Sequence, residues 1–503
     1  MFPNILLSLV FLASLIFRIF YVSHFDFAFT IDQARDMLEI RKIAVGHDPV
    51  FIGPITSLNG VFLGPFWYYF NLLPFIVGGG NPAAIVIFQI FFFHLIAWFF
   101  YLFFRKKNYP LAFWGSLLLL VSPRLLTATS YAFNANTTPL FVLLTLLFIF
   151  TSLQVKKTLP IFFLGLMSGL TLQMEAAFGI LLLPLSVFWL AVTKTRNFRY
   201  FFIGFLLTLT PQAMFEVKNK FLMSKTFIAE FSGQSDILGQ RLDLLTKLTD
   251  RLSHYQGSLG ASLPFPPVFA IGLFLVCLII GVLHRNRFAL INITLLLVSI
   301  LVYLIYPNRL KDWWTINLTI PYLMVIATSI SILWQKKNRL LRAGILLLLI
   351  YLLISSTQYY YRLGVARLAE RSNDPALLLN QIETLDWVYG LAGGRGFKIY
   401  SFVPAVYDLN YQYLFWWYGK WKYGYHPMTV TYLDGVPEYI ENNKSYFTSS
   451  KPAEDLVFLI RESNPNFIDR ELAWRQNFTS LCRIGETWLS GNIHVEILAS
   501  CKK

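Results

Sequence analysis

Charged residues and cysteines are both scarce in this sequence. Only 14% of the 503 residues are Asp, Glu, Lys or Arg, whereas soluble domains carry about 25%. The three cysteines lack the spacing of metal ligands. We find no glycine-rich phosphate loop, low-complexity segment or internal repeat. With 56% hydrophobic residues, water cannot be the solvent for most of this chain.

Long apolar runs dominate the first 357 residues. Crossing a hydrocarbon core of about 30 Å takes about 20 helical residues. The sequence therefore predicts an all-α polytopic membrane domain with about 11 transmembrane helices. The runs cover residues 5–22, 83–104, 110–127, 139–153, 159–173, 176–192, 200–215, 267–283, 288–306, 314–334 and 340–356.

The basic residues lie in short groups between these runs. A formal charge of +15 suggests nucleic-acid binding, but these groups are typical of cytoplasmic loops in membrane proteins. We therefore expect the lipid bilayer, and no nucleic acid, as a partner. The groups cover residues 105–107, 156–157, 194–199, 285–287 and 336–342.

One further apolar run, residues 61–77, can span the bilayer or lie flat in its interface. If it lies flat and the N-terminus is cytoplasmic, all five basic groups are cytoplasmic. If it spans, all five face outward, which the positive-inside rule disfavours. We therefore predict a multi-pass plasma-membrane protein whose first run is a retained span, with a cytoplasmic N-terminus and an extracytoplasmic C-terminus.

The composition changes after about residue 358. The later part is more polar and contains strand-like runs at residues 398–403 and 455–460. We predict two domains: a transmembrane domain of residues 1–357, and a soluble extracytoplasmic α/β domain of residues 358–503. The other outer segments are then residues 23–60, 128–138 and 217–266.

The first outer segment predicts an amphipathic helix on the outer leaflet. In this interpretation Asp36, Glu39 and Arg41 face away from the apolar side. The apolar stripe consists of Met37, Leu38, Ile40, Ile43 and Ala44.

Two carboxylates in that helix are candidates for catalysis. Asp32 and Asp36 flank Arg35. A carboxylate at the boundary of water and lipid can take a proton from an acceptor hydroxyl or hold a divalent metal against a phosphate. The alternative is a solvated acid that stabilises the helix N-terminus.

The order of these segments resembles the membrane glycosyltransferases of the GT-C fold, including protein O-mannosyltransferases, aminoarabinose transferases of lipid A and the RgtA/B/C/D-like group. The likeness rests on an apolar first run, IDQARDM, GPITSLNGVFLGPFWYY and many apolar runs. It implies that Asp32 is the catalytic residue and that the donor is a sugar on a polyprenyl phosphate. Because Gln33 replaces the Glu of a common Asp-Glu pair, the second carboxylate is Asp36 or is absent.

Other segments extend the resemblance. TSYAFNANTTPLF carries Asn134 and Asn136, GLTLQMEAAFGILLLP carries Glu175, and LTPQAMFEVKNKF carries Glu216. Amides can orient an acceptor or donate to a phosphate, but they are weaker metal ligands than carboxylates. The cofactor is therefore unknown; a divalent metal ion is one option, with Asp32 and Asp36 as its ligands. Glu175 lies either at the water line or in the site.

Two cations near residue 310 are candidate phosphate ligands. Arg309 and Lys311 precede Trp313 and Trp314 in PNRLKDWW. A lipid phosphate lies at this depth, although an interfacial anchor of basic and aromatic residues is an equal alternative. Arg35 is a further candidate for phosphate binding.

These observations predict a glycosyltransferase that moves a sugar from a polyprenyl-phosphate donor to a hydroxyl of a glycan, lipid or protein acceptor. The reaction would proceed with inversion on the extracytoplasmic face, with Asp32 as the base. The alternatives are a polytopic transporter or lipid flippase and a non-catalytic membrane scaffold. The sequence identifies neither the sugar nor the acceptor.

A disulfide between Cys482 and Cys501 is expected from a hairpin. Gly491-Asn492 suits a two-residue turn, and this turn would place the two cysteines opposite each other. The alternative is two free thiols in another register.

The predicted orientation can be tested with single cysteines and a membrane-impermeant thiol reagent added from outside. Cysteines at Lys106 and Lys337 should be protected, because both positions lie in groups assigned to the cytoplasm. A cysteine at Asn442 should be labelled. The opposite pattern would reject the topology and an active site on the outer face.

Overall fold

The computed structural model describes residues 2–58, 60–155, 157–195, 197–232, 241–370, 373–404, 408–436, 440, 443–447, 451, 455–462 and 464–501. Lys156, Arg196 and Asn442 lie outside the described residues. The chain divides into two compact units. The first unit comprises Met1–Ile19, Val50–Phe70 and Ile87–Tyr361. The second unit comprises Phe20–Pro49, Asn71–Val86 and Arg362–Lys503, and we call its last segment the tail.

Apolar helices account for the predicted spans. In the described part of the chain, six helices are long and apolar enough to cross a membrane, or nine if three bent pairs each count as one span. Helices suit this environment because they satisfy their own backbone hydrogen bonds. The prediction of a polytopic helical membrane domain is confirmed. The six helices are Pro3–Tyr21, Pro82–Phe104, Asn134–Val155, Arg287–Ile305, Asp312–Gln335 and Arg339–Ala369.

Three bent helix pairs are each a broken span or a re-entrant loop. Each bend has proline in the first turn of its second helix. Proline lacks the N–H that would continue the preceding helix. The pairs are Tyr109–Val121 with Pro123–Thr129 at 57°, Phe198–Thr208 with Thr210–Lys218 at 54°, and Leu244–Ser262 with Pro267–Leu283 at 94°.

Shorter helices complete the first unit. Thr158–Met174 and Ala176–Val192 are apolar and match two predicted runs. The second of these contains the helices Ala176–Gly179 and Leu182–Val192. Leu222–Phe231 is another short helix of this unit.

Residues 53–58 and residues 60–65 lie side by side before a short helix. Gly53 N–H donates to Leu63 O at 2.8 Å, and Ile55 bridges Phe62. A Cβ on Gly53 would lie 2.1 Å from Gly64 O, so only glycine fits there. The helix Phe66–Val77 that follows has 12 residues and is about 18 Å long, which is shorter than the hydrocarbon core.

A five-stranded mixed sheet organises the tail. Its order is β2-β1-β3-β5-β4. Strand β1 is parallel to β2 and β3, and β5 is antiparallel to β3 and β4. The predicted α/β domain is therefore confirmed. The strands are β1 Lys398–Phe402, β2 Thr429–Thr431, β3 Val457–Glu462, β4 Leu481–Leu489 and β5 Ile493–Ser500. The helices of the second unit include Ile31–Ala44, Leu378–Ala392, Leu409–Leu414, the π-helix Phe415–Tyr423 and Ile468–Arg475.

Strands β4 and β5 form the expected hairpin with a different turn. Leu489 pairs with Ile493, so the turn contains the three residues Ser490–Asn492. The predicted two-residue turn is wrong. Gly491 and Asn492 both have positive φ, at 75° and 54°, and they are residue types that tolerate this conformation.

The disulfide forms in a strand register that differs from the predicted one. A shift between Arg483 and Gly485 places Cys482 opposite Ala499, so the predicted register, in which Cys482 lies directly opposite Cys501, is wrong, whereas the predicted disulfide is present. The two cysteines nevertheless lie diagonally close, with their Cα atoms 4.9 Å apart, and a disulfide bond joins them.

Glu462 and Asp408 are buried carboxyl groups of the tail. Glu462 accepts hydrogen bonds from Asn410 at 3.2 Å and Gln381 at 3.4 Å. Asp408 accepts one from Ser401 at 2.8 Å. Burial raises the pKa of Glu462 to about 7 and that of Asp408 to about 6, because removal from water disfavours the charged carboxylate.

The raised pKa of Glu462 predicts a pH-dependent stability. The folded chain binds this proton more tightly than the unfolded chain, whose pKa is near 4.5. The contribution of Glu462 to the free energy of unfolding is therefore fully present below about pH 4.5 and is lost as pH rises through about 7. Glu462→Gln should raise the melting temperature at pH 8 and reduce its loss between pH 5 and pH 8. The exposed Glu383→Gln is the matched control, and equal pH dependence in both variants would contradict the assignment.

Candidate functional site

The acidic helix, Ile31–Ala44, begins at a capping box. Thr30 is the N-cap, its side chain accepts from the backbone N–H of Gln33, and its own N–H donates to Gln33 Oε1 at 3.1 Å. This reciprocal pair satisfies two amides of the first turn. Gln33 thus has a structural role where the family resemblance suggested a second carboxylate. Asp32 stands in the same turn, where the helix dipole favours negative charge.

Arg35 bridges both candidate carboxylates. Its Nη1 lies 2.8 Å from Asp32 Oδ1, and its Nη2 lies 2.8 Å from Asp36 Oδ1. The Asp32 side chain is 43% exposed, whereas that of Asp36 is only 5% exposed. One guanidinium therefore holds a buried carboxylate and an accessible one, and only Asp32 can readily meet a substrate.

The tail anchors the start of the acidic helix. Phe29 N–H donates to Ala376 O at 2.7 Å, and Leu378 N–H donates to Phe27 O at 2.9 Å. Gln381 Nε2 also donates to Phe29 O at 3.3 Å. The two backbone bonds form a short antiparallel bridge within the second unit, in which Ala28 pairs with Leu377. The position of Asp32 therefore depends on residues more than 340 positions later in the sequence.

The far end of the same helix is anchored by Arg41. Arg41 is fully buried, hydrogen-bonds to Asn443, and lies 3.8 Å from the ring centroid of Tyr446 and 4.9 Å from that of Trp416. The expectation that Asp36 and Arg41 face away from the buried side is wrong. Both are buried because the tail, which the helical periodicity does not reveal, covers this side.

Asn134 and Glu175 come together in the first unit. Asn134 Nδ2 donates to Met174 O at 2.5 Å, directly before Glu175 in the chain. Glu175 is buried, and its Oε1 accepts from Ala177 N–H at 3.2 Å. Glu175 therefore caps the helix that follows it. Asn136 makes a local bond, from its Nδ2 to Tyr131 O at 3.0 Å.

Arg251 shapes the loop that carries the two candidate phosphate ligands. This buried side chain donates to three backbone oxygens, those of Tyr303 at 3.0 Å, Tyr306 at 2.8 Å and Asn308 at 2.7 Å. Arg309, the next residue, is exposed. The partners of Arg251 are backbone carbonyls, which leave no pattern in the sequence, so this role of Arg251 is visible only in the structure.

Contacts of Asp312 hold the other end of this loop. His254 Nε2 lies 3.4 Å from Asp312 Oδ1, and Arg124 donates to Asp312 O at 3.1 Å. Lys311 is exposed and lies 5.9 Å from the ring centroid of Trp313. This contact favours the anchor interpretation for Lys311 and leaves Arg309 as the stronger phosphate candidate.

The predicted residues thus form three groups. Asp32, Arg35 and Asp36 share one ion-pair cluster in the second unit. Asn134 and the segment around Glu175 form the second group, which lies in the first unit. Arg309 and Lys311 form the third group, on one loop of the same unit.

The carboxylates of the acidic helix do not fit a metal site well. Asp32 and Asp36 are both directed at Arg35, and their shared positive partner is a guanidinium. Among the described residues, no group of three or more His, Cys, Asp and Glu side chains is arranged to hold a metal ion.

No family model matches the sequence, and no curated protein matches it significantly. The structure is similar to that of ArnT from Cupriavidus metallidurans, which was determined bound to undecaprenyl phosphate. The two chains are 13% identical and align with a TM-score of 0.59, over 98% of this chain and 97% of ArnT. At this identity the likeness shows the fold alone. The chain therefore has the GT-C fold that its sequence motifs led us to expect.

Proposed function

We propose that this chain is a membrane glycosyltransferase, which transfers a sugar from a polyprenyl-phosphate donor to an acceptor hydroxyl on the extracytoplasmic face. The observation that carries the proposal is the fold, shared over 98% of the chain with a protein that binds undecaprenyl phosphate. An accessible carboxylate, Asp32, supports it at the position that the family motif assigns to catalysis.

Asp32 acts as the base in this mechanism. It takes the proton of the acceptor hydroxyl, whose oxygen then attacks the anomeric carbon of the donor sugar. The bond between that carbon and the phosphate oxygen breaks with inversion, and its electron pair leaves with the polyprenyl phosphate. Phosphate is already a fair leaving group, so positioning and stabilisation of its charge contribute more than acid assistance.

Arg35 and Arg309 have different roles in this scheme. Arg35 is engaged by two carboxylates at 2.8 Å, so it positions Asp32 rather than binding the donor phosphate directly. Arg309 is exposed on a loop that Arg251 holds. A guanidinium in this setting suits an oxygen-rich anion, since it presents several donors in a planar fork.

The class of reaction can be tested with membranes that contain the wild-type chain and a panel of radiolabelled polyprenyl-phosphate hexoses and pentoses. Transfer of label from any of them to a non-lipid or lipid acceptor supports the proposal. Absence of transfer, together with movement of the intact labelled lipid between leaflets, would favour a flippase. A scaffold would show neither activity.

Asp32→Asn should lower sugar transfer by about 10²-fold or more, because a general base contributes about 10²–10⁴ to the rate. The melting temperature should change little, since the Asp32 carboxylate is partly in water and Arg35 keeps its ion pair with Asp36. Asp48→Asn is a matched control, because Asp48 is also an exposed acid of this segment and pairs with Lys42 at 3.5 Å.

Asp36→Asn is expected to have an intermediate effect on the rate and a larger effect on stability. It removes the buried partner of Arg35 and leaves the charge of that guanidinium with less compensation.

For the Asp32→Asn variant, activity close to that of the wild type would reject the role of Asp32 as the base.

Arg309→Ala should raise the KM for the lipid donor more than the KM for the acceptor, because it removes a proposed ligand of the donor phosphate. Lys311→Ala provides the comparison, and its effect should be smaller because Lys311 contacts Trp313. Steady-state kinetics with each substrate varied in turn would measure both constants. A larger change in the acceptor constant would contradict the assignment.

A further inference from the structure

A groove opens on the tail beside the starts of strands β1, β3 and β4. Its cavity volume is about 440 Å³, within the roughly 300–1,000 Å³ of small-ligand sites. None of the residues proposed for catalysis lines it. The lining residues are Lys398, Tyr400, Met428, Leu433, Asp434, Asp455, Val457, Asn477, Phe478, Ser480 and Leu481.

Two aromatic residues line the groove, Tyr400 and Phe478, and Trp474 packs against Phe478. The ring centroids of Tyr400 and Phe478 are 4.9 Å apart, and those of Phe478 and Trp474 are 5.0 Å apart. All three side chains are buried. Trp474 is also held by its indole N–H, which donates to Tyr432 O at 2.7 Å. These aromatic side chains are therefore fixed in position before any ligand arrives.

Polar groups that line the groove are also held in place. Ser500 N–H donates to Asp455 Oδ2 at 2.8 Å, and Asn477 Nδ2 donates to Trp474 O at 2.8 Å. Tyr400 Oη donates to the Asp434 carboxylate. Carboxylate oxygens have capacity for several hydrogen bonds, so Asp434 and Asp455 can each accept a further one from a ligand.

The charge of the lining narrows the ligand class. Among the lining residues two carboxylates, those of Asp434 and Asp455, stand against one ammonium, that of Lys398. The net negative charge of the lining disfavours the binding of anionic ligands such as phosphates, nucleotides and uronic acids. The hydrogen bonds from Ser500 hold the pKa of Asp455 below its usual range, so this carboxylate stays charged at neutral pH.

A sugar ring matches this combination of groups. Its hydroxyls donate to carboxylate and amide oxygens and accept from an ammonium or hydroxyl. Its axial C–H groups form an apolar patch that packs on aromatic and aliphatic side chains. We propose that the groove binds a short neutral saccharide.

This inference deepens the proposed function and rests on it for its biological meaning. A transferase that extends a glycan needs contacts with the part of the acceptor that does not react, because those contacts supply binding energy for the reacting part. A groove for a neutral saccharide on the tail would serve as such an acceptor subsite. The acceptor class is then a glycan or a glycolipid.

Binding can be measured on the full-length chain in polymer nanodiscs, which avoid sugar-based detergents. Saturation-transfer NMR titrations would use neutral mono-, di- and trisaccharides of hexoses, pentoses and N-acetylhexosamines, with a glucuronate-containing disaccharide for comparison. At least one neutral saccharide should bind in the millimolar range. Asp455→Asn combined with Asn477→Ala should raise its Kd about fivefold or more, as expected for the loss of one or two net hydrogen bonds.

Matched variants separate the possible outcomes. Asp469→Asn changes an exposed acid outside the groove and should leave the Kd unchanged. Asp32→Asn should also retain saccharide binding. Absence of binding by every neutral saccharide, an unchanged Kd in the double variant, or preference for the glucuronate sugar would each overturn the inference.

The same variants distinguish failure of the groove from failure of the proposed function. Sugar transfer without saccharide binding to the groove would reject only the acceptor subsite. Saccharide binding without transfer from any polyprenyl-phosphate donor would reject the glycosyltransferase and retain a glycan-binding tail.

Discussion

The burial of Arg41 is the interaction on which the position of the acidic helix depends. Taking a guanidinium out of water costs several kcal/mol unless other groups compensate. Asn443 and the rings of Tyr446 and Trp416 compensate it here, with each cation–π contact contributing about 0.5–2 kcal/mol. Since the helix is rigid, fixing Arg41 at one end and Phe29 at the other also fixes Asp32.

The two carboxylates that pair with Arg35 differ in their exposure. The Asp36 side chain is buried, so loss of its ion pair with Arg35 would leave an unpaired charge with little access to water. The Asp32 side chain is 43% exposed, so a substrate can reach its carboxylate while Arg35 keeps Asp36 as a partner. The same cation therefore keeps one carboxylate as a fixed support and leaves the other available.

The sequence predicted those helices and strands that are determined by residues close together in the chain. Apolar runs marked the helices, because lipid requires both apolar side chains and internally satisfied backbones. Prediction from the sequence failed where the environment of a residue is set by residues far away in the chain. Arg41 reads as a solvent-facing residue of an amphipathic helix, and only the tail makes it a buried one. The capping box of Thr30 and Gln33 was visible as T-x-x-Q, but the family comparison drew attention to the missing acid instead.

The separation of Arg41 and Asn443 in the sequence, 402 positions, imposes an order on biosynthesis. The ribosome adds about 5–20 residues per second, so the acidic helix waits roughly 20–80 s before its anchor exists. Strand β5, which lies between β3 and β4, is also made later than its neighbours. Membrane insertion can therefore proceed helix by helix, whereas the candidate catalytic cluster matures only once translation has passed the tail. A ribosome that stalls before the tail would leave inserted helices without an assembled active site.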